Sequence, residues 1–160
     1  MKNSILLTLV LIAITASFNS CKKDKEEVTT PKTKTQLLCG KNWKLTAEIC
    51  DPAIDWNGSG AVSTNVYNQM QSCEKDDIVI FNTNGTYTND EGVSKCNTAD
   101  PQTVTGSWVF NTNETILSRT RNGETISFDI NTLNETSLIL IYIEVINSIN
   151  YTLTATYTKQ

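Results

Sequence analysis

A chain of 160 residues with 39% apolar and 19% charged side chains has room for one domain beside targeting and linker segments, and this apolar share excludes wholesale disorder. It contains no histidine, which removes the commonest general base, the usual partner of serine and cysteine nucleophiles, and the commonest transition-metal ligand. A formal net charge of −4 repels phosphate backbones, so nucleic acid is not an expected partner.

The N-terminus reads as an address. Lys2 supplies a positive charge, and Ile5 to Ala16 form an apolar run. As a helix this run spans roughly 18 Å, against the ~30 Å of a bilayer core, so residues 1–20 are expected to be a cleavable signal peptide and not a permanent span. Small Ser20 directly precedes Cys21, and Phe18-Asn19-Ser20-Cys21 resembles the lipobox of bacterial lipoproteins. That resemblance implies cleavage before Cys21 and fatty acylation there, although Phe18 departs from the usual leucine. Conventional cleavage after Ala16 is the alternative, leaving Cys21 as an odd thiol. The charged run Lys22 to Glu27 is similar to export tags of Gram-negative surface lipoproteins, which puts the expected anchor at the outer membrane or cell surface; a plain solvated tether is the alternative. Residues 21–36 hold too few apolar side chains to offset the entropy of ordering. They are expected to form a disordered tether, with the folded domain over residues 37–160.

From Trp43 onward the apolar period is two. Trp43, Leu45, Ala47 and Ile49 are expected on the inner face of a first strand. Asp51 to Asp76 is a long connection in which Val62, Val66, Tyr67 and Met70 recur at helical spacing, so a short helix capping one end of the sheet is expected there. Ile78 to Asn82 and Thr86 to Asp90 flank Asn84-Gly85, the signature of a type I′ hairpin turn. Val104, Gly106, Trp108 and Phe110 line one face of a fourth strand. Thr115 to Thr120 and Thr125 to Ile130 flank a second such turn, Asn122-Gly123. Leu138 to Ile146 is apolar on both faces and is expected to be central or covered. In the last strand Tyr151, Leu153, Ala155 and Tyr157 face inward against Thr152, Thr154, Thr156 and Thr158.

Short connections make sequence neighbours pair as antiparallel neighbours, and closing a meander removes its edges. The expected fold is all-β: an eight-stranded antiparallel up-and-down barrel with a short helix between its first two strands. A two-sheet sandwich is the alternative. Outward-facing Thr, Ser, Asp and Lys argue against a transmembrane barrel.

Export into an oxidising compartment would leave four cysteines besides Cys21 to account for. With Asn84-Gly85 as a two-residue turn, Val79 faces Asp90, and the same register carried further brings Cys73 opposite Cys96. A 73–96 disulfide is therefore expected. Cys39 and Cys50 pair only by elimination, because a straight strand between them would hold them about 20 Å apart; otherwise they stay free.

The segment Cys73-Glu74-Lys75-Asp76-Asp77, Phe81, Asn84-Gly85, Tyr87, Asp90-Glu91-Gly92, Lys95-Cys96 and Gly106-Ser107-Trp108 resembles the lipocalin-like domain of bacterial lipoproteins. Leu37-Leu38-Cys39-Gly40-Lys41-Asn42-Trp43 fits the same pattern, with one residue more than the Gly-x-Trp that opens a lipocalin strand. The resemblance covers Leu37 to the C-terminus. It implies an eight-stranded calycin-type barrel exposed outside the inner membrane.

Three constellations could carry chemistry. Asp55, Asn57 and Ser59, followed by Gly60, resemble the opening of a calcium loop, but Val66 stands where the closing glutamate belongs; a Gly/Asn-rich turn is the alternative. Asp76, Asp77, Asp90 and Glu91 are the carboxylate clusters, and acid–base work there would require a raised pKa in a cleft. The barrel lumen is the strongest candidate. The Asn122-Gly123 register sets Leu117 opposite Phe128 and Arg119 opposite Ile126, so Arg119 points inward beside Trp108, Phe128 and Tyr157. These four could hold an amphipathic or apolar molecule, with Arg119 on its polar head. Equally, side chains could fill the barrel. The functional expectation is a lipid-anchored, monomeric binding module without catalysis, whose partners are the membrane and a small hydrophobic ligand. The alternative is a structural or interaction domain with a filled barrel, acting on a protein or glycan through its loops.

Overall fold

The computed structural model describes residues 30–160; the expected signal peptide, Cys21 and most of the tether lie outside the described residues. Thr33 accepts from the Gln36 backbone N–H at 3.2 Å while the Gln36 side chain accepts from the Thr33 N–H at 2.9 Å. This reciprocal capping box starts helix α1 (Lys34–Leu38), whose Leu38 is fully buried. The boundary expected at residue 37 thus falls inside a helix. Composition marked the segment as tether, but its Thr-x-x-Gln pattern and one leucine suffice to dock it.

The strands are β1 (Asn42–Ile54), β2 (Ser63–Asn65), β3 (Ile78–Phe81), β4 (Thr86–Asp90), β5 (Thr103–Phe110), β6 (Ile116–Arg121), β7 (Glu124–Leu133), β8 (Ser137–Ile146) and β9 (Ile149–Lys159), with helix α2 (Val66–Gln69) after β2. Strands β3 to β9 pair antiparallel in sequence order, and β1 joins β3 on one side to β9 on the other. Eight strands therefore close into an up-and-down barrel. The short β2 pairs with the far half of β1. The expected helix is α2, with Met70 as its C-cap, but Val62 stands outside it and is 71% exposed. No helix among the described residues is long and apolar enough to cross a membrane.

Two registers differ from expectation. Asn82 and Thr86 close the first hairpin, with the Gly85 N–H donating to Asn82 O at 3.1 Å. The loop holds three residues, and Gly85 alone among them takes positive φ, at 82°. This is the three-residue geometry that ends in a left-handed glycine, so the pairing slips by one and Val79 faces Asn89 instead of Asp90. Cys73 and Cys96 are nevertheless bonded, Cα to Cα 5.2 Å, in loops beyond the ends of β3 and β4. The second turn keeps its expected form: Asn122 and Gly123 both have positive φ, Leu117 faces Phe128, and Arg119 faces Ile126.

The other departure is in β1. Leu45 pairs with Tyr157 and Ala47 with Thr156, so Thr46 is an extra, bulged residue. A bulge shifts every later side chain to the opposite face. Trp43 and Leu45 point in as expected, but Ala47 and Ile49 point out, and Glu48 and Cys50 take the inner positions. In β8 the inner set is Leu138, Leu140, Tyr142 and Glu144, matched to Tyr157, Ala155, Leu153 and Tyr151 of β9. The strand expected to be covered is half-uncovered: Ile143 and Val145 on its outer face are 64% and 65% exposed.

The chain starts β1 and finishes β9 at one end of the barrel, here the base; the β3–β4, β5–β6 and β7–β8 turns lie there too. Leu38, Trp43, Phe81, Trp108, Leu117 and Leu138 fill the base together with Phe110, Ile130 and Leu133. Each fully buried aliphatic or aromatic side chain there contributes roughly 1.5–3 kcal/mol. The two tryptophans also satisfy their N–H groups, Trp43 on Leu38 O at 2.8 Å and Trp108 on Asn82 O at 2.9 Å. Lys32 and Lys41 meet Glu135 at 2.6 and 3.1 Å and tie α1 and the start of β1 to the β7–β8 turn. At the opposite end, the mouth, α2 lays Val66 against Cys50, Ile54, Tyr151 and Leu153.

Cys39 and Cys50 are free thiols. Cys39 caps α1 at the base, whereas Cys50 lies inside β1 toward the mouth, so the length of β1 between them keeps them apart. Burial raises the pKa of both.

Candidate functional site

Above the filled base the barrel lining changes character. A pocket of about 290 Å³ is lined by Leu45, Glu48, Trp56, Met70, Glu74, Asp77, Val79, Asn89, Arg119, Tyr142, Glu144 and Tyr157. A larger recess of about 480 Å³, among Glu91, Asp100, Pro101, Arg121 and Asn122, holds none of the sealed, unpartnered groups described next. Among the described residues, three side-chain polar atoms are buried without a hydrogen-bond partner: Asp77 Oδ1, Asn89 Oδ1 and Arg119 Nε. All three residues line the 290 Å³ pocket. An unmet buried donor or acceptor costs about 1–3 kcal/mol, so three around one pocket are a debt the fold does not settle by itself.

The strands explain how each group arrives. The Thr46 bulge turns Glu48 inward, 5% exposed, where it accepts from the Tyr142 hydroxyl at 2.7 Å. Burial raises the Glu48 pKa, the Tyr142 hydrogen bond opposes the rise, and Glu144 and Glu74 add to it. Burial, then the Glu48 charge, drives Tyr142 far upward, so it is a fixed donor. Tyr157 is also raised by burial, with Arg119 opposing. The Arg119 guanidinium lies 4.7 Å from the Phe128 ring centre and 5.3 Å from that of Tyr87. It has no carboxylate partner within ion-pair distance among the described residues. Gly106 makes this placement possible, because a Cβ there would meet the Tyr87 ring at 2.5 Å. Asp77, just ahead of β3, has its pKa pushed up to about 6 by burial and then by Glu91, Asp76, Glu74 and Asp90.

Of the four residues expected in the lumen, Arg119 and Tyr157 line the pocket. Phe128 lies beneath Arg119 as a stacking surface. Trp108 belongs to the base instead, edge-on to Phe81 and Phe110 at 5.9 and 5.1 Å. The expected calcium ligands form a hydrogen-bonded turn: Asp55 accepts from the Ser59 and Gly60 amides at 2.9 and 2.7 Å, and Asn57 accepts from the Ser59 amide at 3.1 Å. Those oxygens are engaged by the loop's own backbone, and no metal-holding cluster of acidic, Cys or His groups occurs among the described residues. Of the carboxylates considered for acid–base work, Asp77 meets the condition of a raised pKa in a cleft. Asp90 is engaged by the Gly92 amide and Gln102, and Asp76 by Val93 and Ser94, so these two fix loops.

Glu48, Asn89, Tyr142 and Glu144 are pocket residues that alternation alone did not reveal. For Glu48 the signal was a phase break, since Trp43 and Leu45 are out of step with Cys50 and Ile54 unless one residue is skipped. For Tyr142 and Glu144 it was the register with β9, whose own alternation fixes which face of β8 turns in.

A model of the lipocalin-like domain matches residues 38–140. The chain belongs to the lipocalin-like domain family. No curated protein matches it in sequence. Among solved structures, this lipocalin-like chain is similar to bovine odorant binding protein in complex with a selenium-containing odorant. The two are 16% identical over 84% of this chain and 77% of that one, with a TM-score of 0.45. The same protein in complex with undecanal matches with the same identity, coverage and score. Its complex with its natural ligand is 17% identical over 84% and 77% of the two chains, again with a TM-score of 0.45.

Proposed function

We propose that this lipocalin-like domain holds a small amphipathic molecule in the mouth half of its barrel, and that acylation of Cys21 anchors it at the outer membrane or cell surface of a Gram-negative bacterium. The observation that carries the binding reading is the division of the barrel: an apolar, side-chain-filled base beneath a pocket of about 290 Å³ around which polar groups lack partners. That volume sits at the lower edge of the ~300–1,000 Å³ range of ligand sites, which suits a compact molecule. Trp56, Met70, Leu45 and Val79 offer apolar surface, and Arg119, Asn89 and Asp77 offer hydrogen bonds. The anchoring reading rests on the apolar run ahead of Ser20-Cys21 and the charged run behind it.

Native mass spectrometry of the full chain from its own membranes, kept oxidised, tests both. The expected spectrum shows a mass that starts at acylated Cys21 and an adduct lost on denaturation. A chain with free Cys21 overturns the anchor. A bare protein mass, unchanged by a panel of small amphipathic molecules, overturns the carrier and favours loop-borne partners, for which the filled base already speaks.

A further inference from the structure

We propose that the molecule this pocket takes is an organic cation, a protonated amine carried on a compact apolar body; the proposal rests on the reading of the pocket as a ligand site. Four carboxyl groups line it, Glu48, Glu74, Asp77 and Glu144, against the single guanidinium of Arg119. None of the four is in an ion pair among the described residues, where Glu135 alone is. Arg119 spends its charge on the faces of Tyr87 and Phe128. The excess negative charge is therefore uncompensated by the protein.

Glu48 shows the point most sharply. The residue is 5% exposed, and Tyr142, whose hydroxyl donates to Oε1, is its one hydrogen-bond donor among the described residues. A carboxylate in such a place calls for a second donor or a cation. Asp77 Oδ1 and Asn89 Oδ1, around the same pocket, are the acceptors among the described residues that are sealed from solvent with no donor at all. The acceptors are spread around the walls and form no metal cage. An ammonium with several N–H donors on an apolar body suits that spacing, whereas a bare ion does not. Trp56, Tyr142 and Tyr157 add aromatic rings, which attract an ammonium through their electron-rich faces. Arg119 Nε, an unmet donor, is positioned for an acceptor elsewhere on the same molecule.

The test is calorimetric titration of the full oxidised chain with phenethylamine, phenethyl alcohol and phenylacetate, which share one apolar body and differ in charge. The amine is expected to bind at least about tenfold more tightly than the alcohol, and phenylacetate more weakly than both. Glu48→Gln is expected to weaken the amine about tenfold and the alcohol by less, so that the amine-to-alcohol preference collapses, with the urea midpoint of the variant as the control for folding. Asp77→Asn is expected to act in the same direction. Alcohol or phenylacetate binding as tightly as the amine, or a Glu48→Gln chain that keeps full amine affinity, overturns the proposal and leaves the carrier standing. Failure of all three probes, together with a bare native mass, overturns the carrier reading and this proposal with it.

Discussion

Glutamine at position 48 keeps an acceptor for the Tyr142 hydroxyl while removing the charge that burial disfavours. Glu48→Gln is therefore expected to stabilise the fold at neutral pH by about 1 kcal/mol, read as a higher urea midpoint, even as it weakens amine binding. Asp77 adds a pH dependence with a definite sign. Its ordinary pKa of 3.8 rises to about 6 in the folded chain, so the folded state holds the proton more tightly than the unfolded one. Its contribution is fully present below 3.8 and is lost as pH rises through about 6. The groups facing it, Glu74, Asp76, Asp90 and Glu91, are all acidic and push the same way. Urea midpoints measured across that window are expected to fall less steeply with rising pH in Asp77→Asn than in the parent. Equal slopes would remove Asp77 from the account.

At the scale of the strand, turns and bulges decide which side chains reach the pocket. The β8–β9 hairpin closes through Asn147 and Ser148, both left-handed, with φ of 52° and 65°. Asparagine tolerates that region and serine does so poorly. Ser148→Gly is accordingly expected to stabilise by about 1 kcal/mol by chemical denaturation, with no change in ligand affinity. Strand existence was legible in the sequence almost throughout, because Thr-rich alternation is unambiguous where one face is wet. The Asn122-Gly123 register, and with it the inward Arg119, was legible too, since both residues there take the left-handed conformation a two-residue turn needs, which Asn84 in the first hairpin does not. Phase was lost at Thr46, where an extra residue leaves no compositional trace and small Ala47 fits either face. It was lost in β8 because four aliphatic side chains, Ile139, Ile141, Ile143 and Val145, make the outer face look like an inner one. A pocket assembled from residues just past such points, Glu48 from β1 and Tyr142 and Glu144 from β8, escapes a reading by uninterrupted alternation.

The described domain is an unequal barrel, and its two ends are secured differently. Apolar packing holds the base, whereas the mouth relies on α2 and on the 73–96 disulfide across two long loops. Removing that bond, as Cys73→Ala with Cys96→Ala, is expected to lower stability by about 2–4 kcal/mol in urea unfolding, since its loop-closure entropy returns to the unfolded chain. Backbone amide exchange in Trp43, Phe81 and Leu117 should stay slow in that variant, because none of them lies in the released loops. The base also receives both ends of the described chain: Lys32 pairs with Glu135 there, and the Gln160 amide donates to Asn42 O. A fusion partner or a solid support attached at Gln160 thus takes hold of the foot of a cup. Its rim, ringed by α2, the bridged loops and the β6–β7 and β8–β9 turns, lies at the far end of the barrel, so a ligand of the kind proposed would enter and leave there without the foot having to loosen.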